Sequence, residues 1–252
     1  MPVVWGRRAV AEALRAERGV EKLYLANGTH TGGVLDEIID LARSQRVQVQ
    51  YLDRRALDRL ADGGIHQGTV AEVGDFEYSD LDDLLATAAD RGEVPFLLVL
   101  DSLQDPQNLG SLIRTAEAVG IHGIVLPRHR AVGVTATVAK SSAGAVEHVK
   151  VAQVAGLPQA LERLKTAGVW VAGLDPSGDR PYDEVDYSVP LALVVGAESK
   201  GLGRLVGERC DFRVKLPMRG RVASLNAAVA GSIVLYHAWR QRTKAAGEPS
   251  AT

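Results

Sequence analysis

The sequence predicts an α/β protein in two parts, a small unit over residues 1–73 and a larger parallel-sheet unit over residues 94–244. Three observations predict it. Apolar runs of strand length alternate with amphipathic stretches of helix length through both parts. The pattern breaks over residues 74–93, and residues 72–93 hold eight acids against one base, Arg91. Behind that break the strands become continuous apolar runs such as FLLVL at 96–100, as strands covered on both faces do.

In the first part a helix is expected near 7–17, a strand at EKLYLAN and a helix near 33–45 after Gly32-Gly33. A strand at VQVQY, a helix near 53–61 and a strand at GTVAEV complete it. The acidic stretch 74–93 reads as a linker holding a short helix at SDLDDLLATAAD. In the second part a strand at FLLVL leads to a helix near 109–119, a strand at GIVLP, a helix near 135–143 and an extended HVKVA. A helix at 157–167, strands at VWVAGL and LALVVG, a short helix at 201–208, a strand at FRVKL and a long helix at 223–242 follow. Residues 245–252 read as a flexible polar tail. Parallel sheets bind ligands where loops converge beyond the carboxyl ends of their strands. The loops after residues 100, 196 and 216 are therefore the places to look.

Composition narrows the function class. The only cysteine is Cys210, which excludes an intrachain disulfide and a cysteine-based zinc site, and the few histidines lack metal-ligand spacing. No apolar run approaches the roughly 20 residues of a membrane-spanning helix, and the N-terminus lacks a signal-peptide core, so a cytoplasmic protein is expected. The formal net charge is -2, yet residues 200–244 carry ten bases against Glu208 and Asp211. A polyanion senses the field within about one Debye length, roughly 8–10 Å, so this basic third can serve RNA despite the acidic total.

The first loop, DSLQDPQNLGSLIRTA, places Asn108 where a helix N-cap would sit, Gly110 where backbone can approach closely, and Arg114 on the first turns of that helix. A helix N-terminus with an arginine beside it suits a phosphate. The second loop, LVVGAESKGLG, runs a strand straight into glycine with Glu198 at its end. Leu202 follows Gly201 where a Walker loop needs lysine, and the spacing of Gly196, Gly201 and Gly203 fails the dinucleotide fingerprint. The third, VKLPMRGRVASLNAAVAG, breaks a strand at Pro217 and opens a helix at Ser224 with Asn226 on its first turns. Ala227, Ala228, Ala230 and Gly231 predict that something packs very closely on that helix. No G-x-S-x-G elbow marks a nucleophilic serine.

In this order the three segments read N-x-G-x-x-x-R, G-A-E-x-x-G-L and L-P-M-x-G-x-x-x-S-L-N-x-x-x-A. Together they resemble the three motifs of the SpoU (TrmH-like) RNA 2'-O-ribose methyltransferases of the SPOUT superfamily, over residues 95–240. Residues 3–73, with VWGRRAV and IHQG at 65–68, resemble the small RNA-binding domain, similar to ribosomal protein L30e, that precedes the catalytic domain in the rRNA subgroup.

The resemblance implies a C-terminal α/β trefoil-knot (SPOUT) domain with a parallel sheet, a rare exception to unknotted topology. It implies S-adenosylmethionine as cofactor, held around Gly196, Ala197, Gly201, Leu216, Met218 and Leu225. It places Asn108, Arg114, Glu198, Ser224 and Asn226 around the reacting ribose. It implies a homodimer through the knotted domain with the catalytic site near the interface, and ribosomal RNA, 23S, as partner, with a guanosine as target. A tRNA ribose methyltransferase and an inactive RNA-binding protein are the alternatives, the latter disfavoured because Arg114, Glu198 and Asn226 are all present. A guanidinium holds its proton too tightly to be a ready base. Arg114 is therefore expected to hold phosphate and stabilise developing alkoxide charge, with Glu198, Ser224 and Asn226 positioning it and the ribose.

Overall fold

The computed structural model describes residues 1–29, 32–197, 201–222 and 224–247, which divide into two compact units. One comprises residues 1–77 together with 134–148, the other residues 78–133 and the chain from 149 onward.

The first unit is a four-stranded mixed sheet in the order β1-β4-β2-β3, built from β1 (Val3–Trp5), β2 (Lys22–Ala26), β3 (Gln48–Leu52) and β4 (Thr69–Glu72). β4 runs antiparallel to β1 and β2, and β3 parallel to β2. The helices α1 (Arg7–Arg15), α2 (Val34–Ser44) and α3 (Arg54–Leu60) fall where the periodicity places them. β1 is too short to show a period of its own, and the sequence reading passes over it. In IHQG, His66 is buried: its Nδ1 accepts from Gly68 N (3.0 Å) and its Nε2 meets Asp58 Oδ1 (2.9 Å), which holds the turn into β4.

Residues 134–148, including α6 (Ala136–Ser141), pack in this unit although they lie far along the chain. The Arg18–Glu147 pair, at 2.7 Å with both side chains nearly buried, holds them there. Burial pushes the Glu147 carboxyl up, and Arg18 pulls it back toward the charged state. Sequence periodicity over 94–244 carries no sign of this exchange, because packing partners 129 residues apart leave no local trace.

The second unit holds a parallel seven-stranded sheet in the order β7-β6-β5-β10-β8-β11-β9. Its strands are β5 (Phe96–Asp101), β6 (Gly123–Pro127), β7 (Val151–Val154), β8 (Trp170–Leu174), β9 (Arg180–Pro181), β10 (Leu191–Gly196) and β11 (Phe212–Lys215). β5 and β10, the two strands buried along their whole length, are neighbours in the middle. α4 (Leu81–Arg91), α5 (Pro106–Ala118), α7 (Leu157–Thr166), α8 (Arg204–Gly207) and α9 (Ala227–Ala245) complete it. The acidic stretch read as a linker is more than that. α4 buries Leu81 and Leu84 in this unit's core and turns its acids outward, so charge count alone misreads an amphipathic helix.

The start of β5 is held by a half-buried arginine and a buried histidine. Arg242, on the last turn of α9, donates to the carbonyls of Val94, Pro95, Tyr187 and Val189 and lies over the Phe96 ring at 4.6 Å; burial brings its guanidinium down to about 10. His122 Nδ1 accepts from Phe96 N (2.9 Å), which leaves Nε2–H to donate to Glu93 Oε2 (3.0 Å) in the neutral tautomer. Burial lowers the His122 pKa below its ordinary 6.5. The folded protein thus refuses a proton that the unfolded chain accepts. This stability is complete above pH 6.5 and is lost as pH falls toward the depressed folded value, with a slope of at most about 1.4 kcal/mol per unit. Denaturant titrations at pH 7 and 5 should show the loss, and His122→Gln should flatten it; an equal slope in the variant would remove His122 as the cause.

Candidate functional site

The carboxyl ends of β8, β10 and β11 open on a cavity of about 500 Å³. It is lined by Leu174–Ser177 after β8, by Val195, Gly196, Ala197 and Gly201 around the end of β10, and by Leu216, Met218, Ser224, Leu225, Ala227 and Ala230 after β11. All six residues expected to hold a cofactor are on this wall, and Ser224 joins them.

Its floor is a backbone crossing. Gly201 N donates to Ala197 O (2.8 Å), and a Cβ on Gly196 would lie 2.3 Å from the carbonyl carbon and oxygen of Gly201. Only glycine fits there, and Gly201 itself adopts a left-handed φ of 59°. Asp101, the acid that closes the apolar run of β5, secures the crossing: its buried Oδ2 accepts from Gly203 N (2.6 Å) and its Oδ1 from Ser102 Oγ (2.9 Å). The sequence reading missed Asp101, although a lone acid ending a buried strand marks it.

The reading also missed the DPSG turn after β8. Asp175 Oδ1 accepts from the N–H and the hydroxyl of Ser177, both at 2.7 Å, so this wall of the cavity is braced. The Asp-Pro-Ser-Gly sequence is an ordinary turn signal, and only the strand order, with β8 beside β10, shows that the turn faces the cavity.

Two capping expectations need correcting. Asn108 is not an N-cap. Asp105 is, accepting from Gln107 N (2.9 Å) ahead of Pro106, so α5 starts three residues earlier than expected and Asn108 sits buried inside its first turn. Nor does Ser224 open α9. Asn226 is the N-cap, its Oδ1 accepting from Ala228 N (2.9 Å) and Val229 N (3.1 Å). That double acceptance fixes the amide orientation and sends Nδ2 to Asn108 Oδ1 (2.9 Å). The first turns of α5 and α9 are thereby clamped together by two of the expected site residues. Asn226→Ala should cost about 1–2 kcal/mol in denaturant titration, whereas Asn226→Asp should keep the cap and lose the donor to Asn108.

Arg114 stands apart. It lies in the third turn of α5, about 12 Å along the axis from Pro106, not on the first turns as expected. It is exposed, does not line the cavity, and makes no side-chain hydrogen bond or ion pair among the described residues. Its neighbour Thr115 meets Ser232 on α9 at 2.9 Å. Glu198 lies outside the described residues.

The small residues of α9 face inward, as close packing requires. A Cβ on Gly231 would lie 2.7 Å from Leu112 Cδ2 and 3.2 Å from Val195 Cγ2. Ala227, Ala228 and Gly231 are buried within the chain, and Ala230 is half-buried on the cavity wall. What α9 exposes instead is Val229, Ile233 and Tyr236, at helical spacing.

Residues 95–236 match the SpoU rRNA Methylase family, and residues 3–79 match the family described as RNA 2'-O ribose methyltransferase substrate binding. The chain belongs to the SpoU methylase family. It is 50% identical over 239 residues, 95% of each chain, to the putative TrmH family tRNA/rRNA methyltransferase YacO of Bacillus subtilis. Among solved structures it resembles the SpoU methyltransferase AviRb of Streptomyces viridochromogenes in complex with AdoMet, with a TM-score of 0.80 at 26% identity over 96% of this chain and 90% of that one. It also resembles the TrmH/SpoU tRNA modifying enzyme of A. aeolicus, with a TM-score of 0.56 at 27% identity over 68% of this chain and 90% of that one. As a SpoU methylase it is an S-adenosylmethionine-dependent RNA 2'-O-ribose methyltransferase, with a SPOUT catalytic domain behind a small α/β unit. No helix among the described residues is long and apolar enough to cross a membrane, and no cluster of candidate metal ligands occurs among them.

The cavity fits the cofactor on its own terms. Leu174, Val195, Leu216, Met218 and Leu225 offer an apolar slot, and the glycine crossing lets backbone approach a ligand. Among the described residues, Asp175, Ser177 and Ser224 are the polar side chains on its rim.

Proposed function

We propose that this SpoU methylase acts on a guanosine ribose of 23S ribosomal RNA, in the cytoplasm, as a homodimer. The observation that carries the substrate reading is the match of residues 3–79 to a substrate-binding family. The tRNA modifying enzyme of A. aeolicus, nine-tenths covered, leaves about a third of this chain unmatched. RNA rather than DNA follows from the acceptor hydroxyl, which DNA lacks.

In this reading Gly196, Ala197, Gly201, Leu216, Met218 and Leu225 hold S-adenosylmethionine, which supplies a methyl group on a positively charged sulfur. The protein must place the 2'-oxygen in line with that methyl and stabilise the charge the oxygen gains. Asn226, locked by its two backbone bonds and by Asn108, sets the position of Ser224 and Leu225 at the cavity mouth. Arg114 grips the phosphate beside the target ribose and offsets the developing alkoxide charge; Glu198 and Ser224 orient it and the ribose.

Arg114 does not line the cavity of its own chain, and a dimer resolves this. The exposed stripe Val229, Ile233 and Tyr236 on α9 lies next to the α5 turn that carries Thr115 and Arg114. Pairing two copies through this surface covers the apolar stripe and brings Arg114 to the interface. Sedimentation equilibrium should give a dimer at micromolar concentration; a monomer would sink this part of the reading.

The substrate test uses the intact chain, because deleting residues 1–77 would strip the partners from residues 134–148. Methylation of large-subunit rRNA transcripts and of bulk tRNA should be compared, with the modified ribose mapped. Methylation of an rRNA guanosine is expected. Efficient tRNA methylation would replace the substrate, and the absence of transfer to either would favour an inactive RNA-binding protein.

A further inference from the structure

The first unit contains a second cavity, of about 480 Å³, lined by Arg7, Arg8, Ala9, Gly32, Gly33, Val34, Gln67, Lys140 and Ala143. Three of these residues are cations and none is a carboxylate. The charge is held in an arrangement that folding alone disfavours. Lys140 reaches over Gly6, where a Cβ would lie 2.2 Å from its Nζ, so the ammonium sits at the N-cap of α1. Arg7 and Arg8 occupy the first turn of the same helix, which has no acidic residue. The partial charge at a helix N-terminus is positive, so three cations there repel it and one another.

No carboxylate among the described residues pairs with them. Lys140 Nζ donates to the neutral amide oxygen Gln67 Oε1 (2.9 Å), which also takes the backbone N–H of Arg7 (3.3 Å), while Arg7 Nε donates to Gln67 O (3.4 Å). Several other cations of this unit are paired with carboxylates. Arg15 is paired with Glu12 and Glu37, Arg18 with Glu147, and His148 with Glu12. Burial lowers the pKa of Lys140, as expected for an ammonium set into a pocket without a counter-charge. Three cations gathered in one cavity at a helix N-terminus, without a carboxylate on its wall, break a local rule, as functional sites are expected to do.

We propose that Arg7, Arg8 and Lys140 form a pocket for a phosphodiester group of the RNA backbone, a second point of attachment in the N-terminal unit. The inference rests on the reading of the chain as an RNA methyltransferase, and it deepens that reading by naming where the substrate-binding unit grips. Lys140 comes from the stretch that matches the methylase family, yet it folds into the unit that matches the substrate-binding family. The pocket is thus assembled from both parts of the sequence. A phosphate there would accept from Lys140 and from the arginines, and would remove the repulsion described above. Such a contact fixes register without reading bases.

Lys140→Gln and Arg8→Gln, in the full chain, test it by binding to an rRNA transcript and to bulk tRNA across a salt series. Each charge removed from a phosphate contact should flatten the plot of log affinity against log salt by about 0.7–0.9 and weaken binding at low salt severalfold. Lys140→Arg should restore both. S-adenosylmethionine affinity should stay unchanged, and the melting temperature should hold or rise because repulsion is relieved. Coincident slopes for wild type and Lys140→Gln on both RNAs would overturn the pocket, as would a drop in melting temperature that accounts for the weaker binding. A wild type that prefers tRNA, with the slope still flattened by Lys140→Gln, would overturn the rRNA reading and leave the pocket standing.

Discussion

Arg114→Ala is expected to lower methyl transfer about a thousandfold while leaving S-adenosylmethionine binding within a factor of about two and the melting temperature nearly unchanged. The magnitude is that of removing one donor aimed at charge which develops in a transition state, roughly 10²–10³, with added loss from a misplaced phosphate. The selectivity follows from the structure. Arg114 is exposed, has no ion-pair partner to lose among the described residues, and is absent from the cavity wall. Substitutions at such positions usually change stability by no more than about 0.5 kcal/mol. Single-turnover methyl transfer alongside calorimetric titration of the cofactor separates the two roles. Turnover above about a tenth of wild type would refute the assignment, and so would a parallel loss of cofactor affinity. Mixing Arg114→Ala chains with chains inactivated in the cofactor cavity adds a test of the dimer. Partial recovery of activity is expected if Arg114 serves its partner's site, and none if it serves its own.

Gly196→Ala should act on the other half of the site. A methyl group there meets the backbone of Gly201 at 2.3 Å, and neither side can move cheaply. Gly196 ends a strand paired on both edges, and the Gly201 segment is tied by Gly201 N to Ala197 O and by Gly203 N to Asp101. Overpacking of this kind costs about 1–3 kcal/mol. Because the crossing forms the floor of the cavity, that cost should appear as a roughly 10- to 100-fold loss of S-adenosylmethionine affinity, together with a lower melting temperature. Gly220→Ala is the control, since a Cβ there meets nothing within 4 Å and should leave both properties alone. If Gly196→Ala bound the cofactor like wild type, the crossing would not be what shapes the cavity.

Much of this was legible in the chain. Strands and helices with several periods to display, such as β5, β10, α2 and α7, fall within a few residues of where the pattern puts them. The three motifs were also readable, because each is a local run of residues whose spacing is visible without a fold. The rule that parallel sheets bind ligands at the carboxyl ends of their strands pointed to the loops after 196 and 216, and the resemblance named Gly196, Leu216 and Leu225, which line the cavity. The misreadings share one cause. Asn108 and Asp105 are both good caps, as are Ser224 and Asn226, and which of two polar residues within a turn of each other becomes the cap depends on what packs against the helix. Asn108 became interior because α9 supplies the Nδ2 of Asn226 to meet it. In the same way, α4 looked like part of a linker until Leu81 and Leu84 found a core.

The chain by itself determined which segments are strands and helices, which loops carry the polar groups, and to which family they belong, since period, turn chemistry and motif spacing are properties of neighbours in sequence. Only the tertiary structure decided the close crossing of Gly196 and Gly201, the clamp between Asn108 and Asn226, the exposed place of Arg114, and the return of residues 134–148 to the N-terminal unit. The clamp and the return of residues 134–148 join groups far apart along the chain, and the crossing is secured by Asp101, 102 residues from Gly203. The side chains that meet there were chosen by volume and charge at a distance, and such choices leave no period to read.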